Sequence, residues 1–590
     1  MCGIAGYIGK RNAPELLFDM LKCLEYRGYD SAGLAYISND EIFIPKAKGR
    51  VDEVRKTIKP ETLSSNIGVG HTRWATHGPP SNLNSHPHAD CTGKYAVAHN
   101  GIIENFMVLK QELEERGHVF KSDTDTEVIS HLIEEYAKEN DFFGSFREAL
   151  LRLRGSFAIA AISTTEKDKI LVARKESPLI IGVGIDQNFL ASDLPAILPE
   201  TKDVIILDDF EYGYIKKDEV KLFNLLTGEE VKKEPETTQW DVESAEKGGF
   251  HHFMLKEIYE EPNAVRNALR EKGNTREVSE KIKGYERIYF VACGTASYAG
   301  LVGKYLLEHF QISSESVVAS EFRYSTIETI DEKCLLIAVS QSGETADTLA
   351  AVKESKKRGA HIVSIVNAVG SSLTREAHEN ISINAGPEIA VASTKAYVGQ
   401  VVSLTLLCFG LAVSKNKMGE IEYIRLLGEM ESIPEKIEKI LEGNQPREIA
   451  ELNANKQTFF YIGRRLNYPT ALEGALKIKE ISYLHAEAYP GGELKHGPLA
   501  LLESGLPVIC IIPNDELADK MFSNIAEVQA RRAEVITLGE GQILDVPKID
   551  PLLTPILNIV PLHLFAYHIA VLRGHDVDKP RNLAKSVTVE

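Results

Sequence analysis

The feature that most limits the fold is a succession of buried strand, turn, helix and buried strand that occurs twice in the second half of the chain. Residues 335–339 and 508–512 are apolar runs, and each leads through a turn into a helix and then into another apolar run, at 362–366 and 535–538. Strands joined through helices in this way lie parallel, with helices on both faces of the sheet. The pattern therefore predicts two parallel α/β units.

A second, shorter pattern supports this duplication. An apolar run that ends at a glycine occurs once in each unit, at residues 288–294 and 459–463. We place the two units at 250–435 and 440–575, followed by a C-terminal tail at 576–590. The chain beyond residue 250 is thus predicted to contain an internal repeat.

Length and composition exclude several classes of protein. A chain of 590 residues is too long for one hydrophobic core and suggests about three to five domains. It contains no apolar run of about 18 residues that could span a bilayer, and its net charge of −18 argues against binding to nucleic acid or to an anionic membrane. The seven cysteines are scattered without C-x-x-C spacing, and the N-terminus lacks the features of a signal peptide. The expected location is the cytoplasm.

Cys2 is a candidate nucleophile. Once the initiator methionine is removed, a cysteine at this position carries a thiol and an α-amine in one residue. The amine has a reference pKa of about 7.7–8.0, so it can accept the thiol proton near neutral pH without a histidine. This signal is weak alone, since many chains begin with Met-Cys, and its value depends on the surrounding motifs.

Five short motifs occur in order in the first part of the chain, at residues 1–6, 24–33, 71–78, 99–101 and 124–127. Together they resemble the N-terminal-nucleophile glutaminase domain of glutamine amidotransferases such as asparagine synthetase and amidophosphoribosyltransferase. The resemblance implies an αββα sandwich over residues 2–240 that hydrolyses glutamine. Residues 216–249, rich in Lys, Glu and Gly, are expected to form the edge of this domain and a linker.

The resemblance assigns roles to the polar residues of these motifs. Cys2 would attack the side-chain amide of glutamine, and the Asn100 amide together with the Gly101 backbone N–H would stabilise the tetrahedral oxyanion. The α-carboxylate and α-ammonium groups of glutamine would be bound by Arg73 and Asp125. The residues that would line the pocket are Thr76 and His77, and the residue that would gate the passage of ammonia is Trp74.

Taken singly, these residues have simpler explanations. Arg73 could form a surface ion pair, Asp125 is a good helix N-cap, and Trp74 could be a core aromatic residue. Neighbouring histidines could suggest a metal site, but no set of histidine, cysteine and carboxylate residues has an established ligand spacing, and the glutaminase chemistry needs no metal. We therefore expect no metal, including at the histidines of this region, His71, His77, His86 and His88.

Residues 340–345, Ser-Gln-Ser-Gly-Glu-Thr, form a hydroxyl-rich turn between a predicted strand and a predicted helix. Such a turn can bind phosphate, because backbone N–H groups and the helix dipole face the anion. The simpler explanation is an ordinary helix start capped by Ser and Thr. The corresponding turn of the second unit, residues 512–515, lacks the hydroxyl groups, which favours one phosphate site rather than two.

Glu473, Lys477 and Glu480 recur at intervals that place them on one face of a helix. An exposed ion-pair ladder would have the same spacing. Against that explanation, the same helix carries Ala471, Leu472, Ala475, Leu476 and Ile478 and is not expected to be mainly exposed. The three charges are therefore candidates for proton transfer.

Further segments extend the resemblance over essentially the whole chain, at residues 292–295, 340–345, 391–395, 473–480, 493–498 and 578–590. They resemble sugar isomerase (SIS) domains and, with the glutaminase motifs, the family of glutamine-dependent aminotransferases that act on fructose 6-phosphate and isomerise it. The fold implied is an α/β multidomain protein in which the glutaminase sandwich is followed by two SIS domains. The reaction implied yields glucosamine 6-phosphate and glutamate.

The same resemblance assigns the sugar site. Glu480 would move a proton between C1 and C2, Lys477 would assist at the C1 oxygen, and His496 would open the sugar ring. Lys585 would form a Schiff base with the C2 carbonyl, so no pyridoxal phosphate or other cofactor is expected. Ala296 stands where a serine is expected, which predicts one missing hydroxyl contact. The contacts to phosphate and sugar would come from Thr295, Ser340, Gln341, Ser342, Thr345, Val391, Ser393 and Ala584.

Two other functions remain open from the sequence. The glutaminase could serve a different acceptor, but the chain after residue 240 has neither an ATP-pyrophosphatase loop nor a diphosphate-ribose loop with paired acids. A sugar-phosphate-sensing binding protein built on SIS domains would leave the glutaminase motifs and Lys585 without a role. We therefore expect an enzyme that binds glutamine and fructose 6-phosphate, forms a homodimer as the family usually does, and binds neither nucleic acid nor membrane.

Overall fold

The chain folds into two compact units. One comprises Met1–Ala245 together with Ala584–Glu590, and the other comprises Glu246–Leu583. The structure is a computed structural model, and the residues it describes are 2–58, 63–75, 77–238, 247–368 and 370–588.

The first unit is built on two antiparallel sheets. Its strands are β1 (Gly3–Ile8), β2 (Ser31–Ser38), β3 (Glu41–Phe43), β4 (Lys46–Lys48), β5 (Ile67–Arg73), β6 (His88–Ala89), β7 (Tyr95–Ile103), β8 (Gly155–Ser163), β9 (Ile170–Lys175), β10 (Ile180–Gly184), β11 (Gln187–Ala191), β12 (Asp203–Ile206), β13 (Glu211–Ile215), β14 (Val220–Asn224), β15 (Glu230–Val231) and β16 (Glu236–Thr237). One sheet has nine strands in the order β16-β12-β10-β11-β1-β5-β2-β3, with β4 also paired to β2. The other has seven, in the order β15-β14-β13-β9-β8-β7-β6.

The two sheets face each other and are covered by helices on their outer faces. The helices are α1 (Ala13–Leu24), α2 (Val51–Arg55), α3 (Phe106–Glu115), α4 (Glu127–Tyr136) and α5 (Phe142–Arg152). Successive side chains of β7 alternate between two cores: Ala96 and Ala98 lie between the sheets, while Val97 packs with α4 and α5. Helix α1 packs on the opposite side of the nine-stranded sheet. The predicted αββα sandwich is confirmed.

Residues 216–238 are more regular than the composition of the segment predicts. Strands β14, β15 and β16 lie here; β15 and β16 are the end strands of the two sheets, and β14 lies between β15 and β13. An edge strand has one side open to solvent, and polar side chains such as those of Lys and Glu are common there. The apolar alternation that would reveal a strand in the sequence is therefore weak.

The second unit contains two parallel sheets flanked by helices. Its strands are β17 (Arg287–Ala292), β18 (Glu315–Val318), β19 (Cys334–Ser340), β20 (His361–Val366), β21 (Glu379–Ser382), β22 (Thr458–Gly463), β23 (His485–Pro490), β24 (Pro507–Ile511), β25 (Glu534–Gly539) and β26 (Leu544–Asp545). Its helices are α6 (Phe253–Tyr259), α7 (Glu261–Ala268), α8 (Lys272–Ile282), α9 (Gly294–His309), α10 (Ala319–Phe322), α11 (Ala346–Lys357), α12 (Ser372–Glu376), α13 (Lys395–Ser414), α14 (Glu420–Glu431), α15 (Ile433–Glu442), α16 (Gln445–Asn453), α17 (Asn467–Ser482), α18 (Ala518–Gln529) and α19 (Thr554–Leu572).

The two sheets have the same topology, as the sequence repeat predicts. Their strand orders are β18-β17-β19-β20-β21 and β23-β22-β24-β25-β26. The chain order reverses between β17 and β19 in the first sheet and between β22 and β24 in the second. In parallel α/β sheets, ligands bind at this point, outside the carboxyl ends of the strands. Strand β19 ends at Ser340, so the predicted phosphate turn begins at the expected position.

Two helices of the second unit are unusually apolar. Contrary to the expectation that the chain has no such stretch, Lys395–Ser414 and Pro551–Leu572 are long and apolar enough to cross a membrane by length and composition alone. Within the structure, however, 100% and 83% of their most apolar windows are buried. Both pack into a core that also contains strands of both parallel sheets, such as Phe290 of β17 and Tyr461 of β22. They are core helices of this unit.

Candidate functional site: a glutaminase centre and a sugar-phosphate crevice

Cys2 lies immediately before β1, and the strand register decides what surrounds it. Strands β1 and β5 pair with Gly3 opposite Thr72, and Trp74 follows the end of β5. The Trp74 N–H donates to Cys2 Sγ at 3.3 Å, and the Trp74 carbonyl oxygen lies 3.5 Å from the same sulfur. Burial raises the pKa of the Cys2 thiol. A thiol that stays protonated near neutral pH needs a base at short range before it can act as a nucleophile.

Two side chains hold the backbone of Cys2. Arg27 Nε and Asn100 Nδ2 donate to the Cys2 carbonyl oxygen at 3.2 and 3.1 Å. Arg27 is buried, and its Nη1 also donates to Asp193 at 2.7 Å. The sequence motif at residues 24–33 contains Arg27 without indicating what it touches. Its contacts hold the backbone of Cys2 in place.

Asn100 and Gly101, the predicted oxyanion donors, are fixed by their neighbours. His71 Nε2 lies 3.0 Å from both Asn100 Oδ1 and the His99 carbonyl oxygen. Burial lowers the pKa of His71 to about 3, so the ring is neutral, and because both partners are acceptors its proton lies on Nε2. Gly101 has φ +122°, and a Cβ there would collide with the Ser156 carbonyl oxygen, so only glycine fits. His71 is therefore a second positioning residue that the motifs alone did not identify.

Arg73 and Asp125 are buried charged residues, and the guanidinium of Arg73 has an incomplete set of partners among the described residues. Arg73 Nη2 donates to the carbonyl oxygens of His77 and Gly78, the second at 3.1 Å, whereas its Nη1 has no hydrogen-bond acceptor among the described residues. Asp125 accepts from the Ile103 N–H at 2.8 Å. Besides burial, Arg73 lowers and Asp125 raises the pKa of Cys2, so both charges lie near the thiol. A buried guanidinium with a spare N–H is suited to bind a carboxylate.

Of the two residues predicted to line the glutamine pocket, the structure describes His77 but not Thr76. The His77 ring packs edge-on against Phe106, with centroids 5.4 Å apart. Thr76 lies outside the described residues, so its role stays a prediction. The histidines that could have suggested a metal are packed rings: His71 and His86 stack at 4.2 Å, and His86 and His88 meet at 4.9 Å. Burial lowers the pKa of each of these three rings, so they are neutral.

The turn after β19, which is predicted to bind phosphate, is shaped by hydrogen bonds of its own hydroxyl groups. Ser340 Oγ accepts from the Gly343 N–H at 3.0 Å and lies 3.3 Å from Thr345 Oγ1. Ser342 Oγ accepts from the Glu344 N–H at 3.2 Å, and the Gln341 carbonyl accepts two backbone N–H groups of the segment after β20. Gly343 has φ +64°, and a Cβ there would collide with Ser371. The turn thus has a defined shape at the start of α11.

The charged face of α17 meets the start of α9. Lys477 Nζ lies 3.2 Å from Glu473, 2.6 Å from Glu480 and 3.0 Å from Thr295 Oγ1, and Thr295 also donates to Glu473 at 3.2 Å. Glu473 and Lys477 are completely buried, and Glu480 is partly exposed. Burial raises the pKa of Glu473 to about 7. Although burial opposes it, the two carboxylates raise the pKa of Lys477, which is therefore charged.

Because Glu473 and Lys477 are buried, an exposed ion-pair ladder is excluded as the explanation of their spacing. One buried cation faces two carboxylates, so a single negative charge balances it and a proton can be held or released by Glu473 near neutral pH. Ala296, beside Thr295, packs against the hydrophobic core and offers no hydroxyl group. The group is a largely buried cluster of charges that contacts Thr295 at the start of α9.

The other residues assigned to the sugar site lie in three segments of the chain: before α13, in a 3₁₀ helix after β23, and in the C-terminal tail. Val391 N–H donates to the Asp578 carbonyl oxygen at 3.0 Å, and the Ser393 hydroxyl donates to Glu388 at 2.8 Å. His496 is the exposed last residue of a 3₁₀ helix, and no hydrogen bond or ion pair within the described ranges joins it to the charged face of α17. The tail residues Ala584 and Lys585 are half-buried and belong to the first unit.

The corresponding crevice of the second sheet differs in its charges. A cavity of about 260 Å³ lies there, lined among others by Arg465, Asn514 and Asp515. Arg465 lies 3.1 Å from Glu516 and 3.8 Å from Asp515, so its charge is already opposed by carboxylates. With no hydroxyl-rich turn, this crevice is less suited to phosphate. The asymmetry supports a single phosphate site.

Comparison with known proteins agrees with both halves of the chain. The glutamine amidotransferase domain family matches residues 71–199, and the SIS domain family matches residues 281–409 and 452–542. Proteins named glutamine–fructose-6-phosphate aminotransferase (isomerizing) from Pyrococcus horikoshii and Thermococcus kodakarensis are each 51% identical to the chain, over the full length of both sequences.

A solved structure extends the agreement to the second unit. The C-terminal domain of glucosamine-fructose-6-phosphate aminotransferase from Francisella tularensis superimposes with a TM-score of 0.54 and 38% identity. It covers 57% of this chain and all of that domain. The glutaminase centre, the duplicated parallel sheets and the full-length relatives lead to one conclusion: the chain belongs to the glutamine–fructose-6-phosphate aminotransferase (isomerizing) family.

Proposed function

We propose that this enzyme hydrolyses glutamine at Cys2 and adds the ammonia to fructose 6-phosphate bound at the turn after β19, giving glutamate and glucosamine 6-phosphate. The observation that carries the residue assignment is the environment of Cys2. Its sulfur is bracketed by the backbone of Trp74, its carbonyl is held by Arg27 and Asn100, and the unpaired N–H of Arg73 lies nearby. These contacts fit a nucleophile with a substrate clamp.

In the glutaminase half, the α-amine of Cys2 would accept the thiol proton after removal of the initiator methionine. The thiolate attacks the amide carbon, ammonia leaves, and water hydrolyses the thioester to glutamate. Asn100 Nδ2 and the Gly101 N–H would stabilise the oxyanion, with His71 orienting Asn100. Arg73 Nη1 would bind the α-carboxylate and Asp125 the α-ammonium, with Thr76 and His77 lining the pocket.

In the sugar half, the turn would bind the phosphate through backbone N–H groups and through the side chains of Ser340, Gln341, Ser342 and Thr345. Thr295 would bind the sugar, and its hydroxyl already contacts both Glu473 and Lys477. The remaining contacts to the sugar would come from Val391, Ser393 and Ala584.

Proton transfer would use the charged face of α17. Glu480 would take a proton from C1 of the C2 imine and return it to C2, while Lys477 would handle the proton on the C1 oxygen. Lys477 is held charged by two carboxylates, so it is suited to donate a hydrogen bond to this oxygen. Glu480 is the more accessible of the two carboxylates, which supports its assignment as the base.

Two further residues complete the proposed reaction. His496 would open the sugar ring, and Lys585 would condense with the C2 carbonyl, releasing water. Ammonia then displaces the lysine from the resulting imine. Because ammonia is mostly protonated in neutral water, we also propose a closed passage gated by Trp74. Trp74→Ala would then release more glutamate than amino sugar, and an unchanged ratio of the two products would count against the gate.

The wider organisation is also a proposal. We assign residues 2–240 to the glutaminase domain, 250–435 and 440–575 to the two SIS domains and 576–590 to a tail that completes the sugar site. We propose a cytoplasmic homodimer that needs no cofactor and binds neither nucleic acid nor membrane. Analytical ultracentrifugation of the purified chain tests the dimer, and a monomer at working concentration would contradict it.

A coupled assay tests the reaction itself. With glutamine and fructose 6-phosphate together, glutamate and glucosamine 6-phosphate should appear in equal amounts. Glutamate without amino sugar would indicate a different acceptor. The absence of both products would favour a sugar-phosphate-binding protein without catalysis.

A further inference from the structure

A second cluster of reactive side chains lies in the first unit and takes no part in the proposed glutaminase chemistry. Cys91 follows β6, His118 lies in the loop between α3 and α4, and His131 and Glu134 lie on α4. One ligand atom from each residue lies within 4.8 Å of the corresponding atoms of the other three. Both histidines are buried and Glu134 is half-buried, whereas Cys91 is exposed.

Four of the six ligand-to-ligand distances in the cluster are close to those around a tetrahedral metal ion, and all six are within 4.8 Å. Cys91 Sγ lies 3.8 Å from His118 Nδ1 and 3.5 Å from His131 Nδ1. Glu134 Oε2 lies 3.0 Å from His118 Nδ1 and 3.3 Å from His131 Nδ1. Ligands bound to zinc at about 2.0–2.3 Å in a tetrahedron are separated by roughly 3.3–3.6 Å. We propose that Cys91, His118, His131 and Glu134 bind one Zn²⁺ ion.

The outer ring nitrogens support this proposal. His118 Nε2 lies 3.1 Å from Glu135, and His131 Nε2 lies 3.5 Å from Glu127. A neutral imidazole has one N–H, so neither ring can donate to carboxylates on both of its sides. If each Nε2 donates its N–H to the outer carboxylate, both Nδ1 atoms present lone pairs to Cys91 and Glu134. A cation bound between these groups would replace the repulsion between their lone pairs by attraction. A histidine that binds zinc commonly donates its other N–H to a carboxylate in this way.

The cysteine is prepared for the same role. The Val119 N–H donates to Cys91 Sγ at 3.2 Å, whereas burial raises the pKa of the thiol, so the sulfur becomes a ligand only when an ion takes the place of its proton. A thiolate and a carboxylate together balance the charge of a divalent ion, with two neutral imidazoles completing the set. Sulfur and nitrogen ligands favour zinc over magnesium or calcium, which take oxygen ligands. The exposed side of Cys91 leaves a path for the ion to enter.

The position of the cluster indicates what the ion would do. It would join the turn after β6 and the loop after α3 to helix α4. Glu127, beside His131, accepts from the backbone N–H groups of Lys121 and Ser122 at 2.8 and 2.6 Å. That loop continues to Asp125, the proposed ligand of the glutamine ammonium group. The ion would therefore stabilise the loop that supplies one end of the glutamine site.

Metal content and spectroscopy of the full-length enzyme test the proposal. After treatment with a strong chelator and reloading with ZnCl₂, the protein should retain about one zinc ion per chain through gel filtration. Loading with CoCl₂ should give a thiolate-to-cobalt charge-transfer band in the near ultraviolet. Cys91→Ser should lose this band, whereas the control Cys23→Ser, at a half-buried cysteine of the same unit, should keep it.

A second variant separates binding from folding. Glu135→Gln leaves the four ligands intact and should weaken zinc binding about 10–100-fold, as loss of the carboxylate partner of a ligating histidine does elsewhere. Zinc should also raise the thermal midpoint of the wild type and not that of Cys91→Ser. The proposal is overturned if the reloaded wild type retains no zinc, or if Cys91→Ser keeps the same zinc content and cobalt spectrum.

Discussion

At the scale of single residues, the glutaminase half depends on Cys2. We expect Cys2→Ala to abolish glutamine hydrolysis, because the Cys2 sulfur is the proposed nucleophile. The sugar-phosphate isomerase reaction should stay intact, because Cys2 has no proposed part in it. Glutamate release and aldose formation from fructose 6-phosphate are measured separately. Cys23→Ala, a matched change on α1, should retain both reactions. Substantial glutamate release by Cys2→Ala would assign the nucleophile elsewhere.

Glu473 provides a prediction about pH. Burial raises its pKa to about 7 from an ordinary value of 4.5, with Lys477 opposing the shift. The folded state therefore holds one more proton than the unfolded chain between these values. The stability that this proton contributes is present in full below about pH 4.5 and is lost as the pH rises through about 7.

Glu473→Gln should remove that contribution to the pH dependence. The amide stays neutral, so the free energy of unfolding should fall less between about pH 5 and pH 8, by on the order of 2 kcal/mol. Denaturant titrations of the full chain at several pH values measure this slope. Glu493→Gln, at an exposed position of the same unit, serves as the control. Equal slopes for wild type and Glu473→Gln would contradict the raised pKa.

Some residues with structural roles near Cys2 could not be predicted from the sequence. The motifs identified the residues proposed to react, but not Arg27 and His71, whose contacts hold Cys2 and Asn100 in place. A motif records which residues occur together, and it contains no information on which atoms they touch. The cluster around Cys91 was not predicted for a similar reason. His118 and His131 lie 27 and 40 residues from Cys91 in the sequence, and only the fold brings them together.

At the scale of elements, the phosphate turn is the part most open to test. Phosphate is not the reacting group, so its contacts should act equally in the ground and transition states. We expect Ser342→Ala and Thr345→Ala each to raise the KM for fructose 6-phosphate roughly 10-fold with little change in kcat, the loss of one hydrogen bond to an anion. Steady-state kinetics with glutamine in excess measure both constants.

The second sheet supplies the control for this experiment. Asn514→Ala alters the turn that occupies the same place after β24 and should leave both constants unchanged. An unchanged KM in both variants of the first turn would show that phosphate binds elsewhere. A raised KM in Asn514→Ala would contradict the single phosphate site.

Elements with a strong apolar period were predicted from the sequence, and those without it were not. Helix α17 and the repeated strands β19 and β24 follow directly from the spacing of their apolar residues. Strands β14 to β16 did not: β15 and β16 are end strands, where polar residues are tolerated, and β14 pairs with the end strand β15 over only two residues. Strand order was likewise beyond the sequence, since it depends on pairing between distant segments.

At the scale of the whole molecule, the proposed covalent role of Lys585 would give the tail a part in the sugar reaction. Borohydride reduction with fructose 6-phosphate present should leave a hexitol-phosphate adduct on Lys585, identified by peptide mass spectrometry. Lys579, in the same tail, should remain unlabelled. Labelling elsewhere, or full synthase activity in Lys585→Arg, would overturn the assignment.

The central claim is that one chain moves nitrogen from glutamine to fructose 6-phosphate, and isotope transfer tests it most directly. The enzyme is given glutamine labelled with ¹⁵N at the side-chain amide, fructose 6-phosphate and excess unlabelled ammonium, and the amino sugar is analysed by mass spectrometry. We predict that the glucosamine 6-phosphate carries ¹⁵N and forms in equal amount with glutamate. Amino sugar containing only unlabelled nitrogen, or glutamate formed without any amino sugar, would contradict the claim.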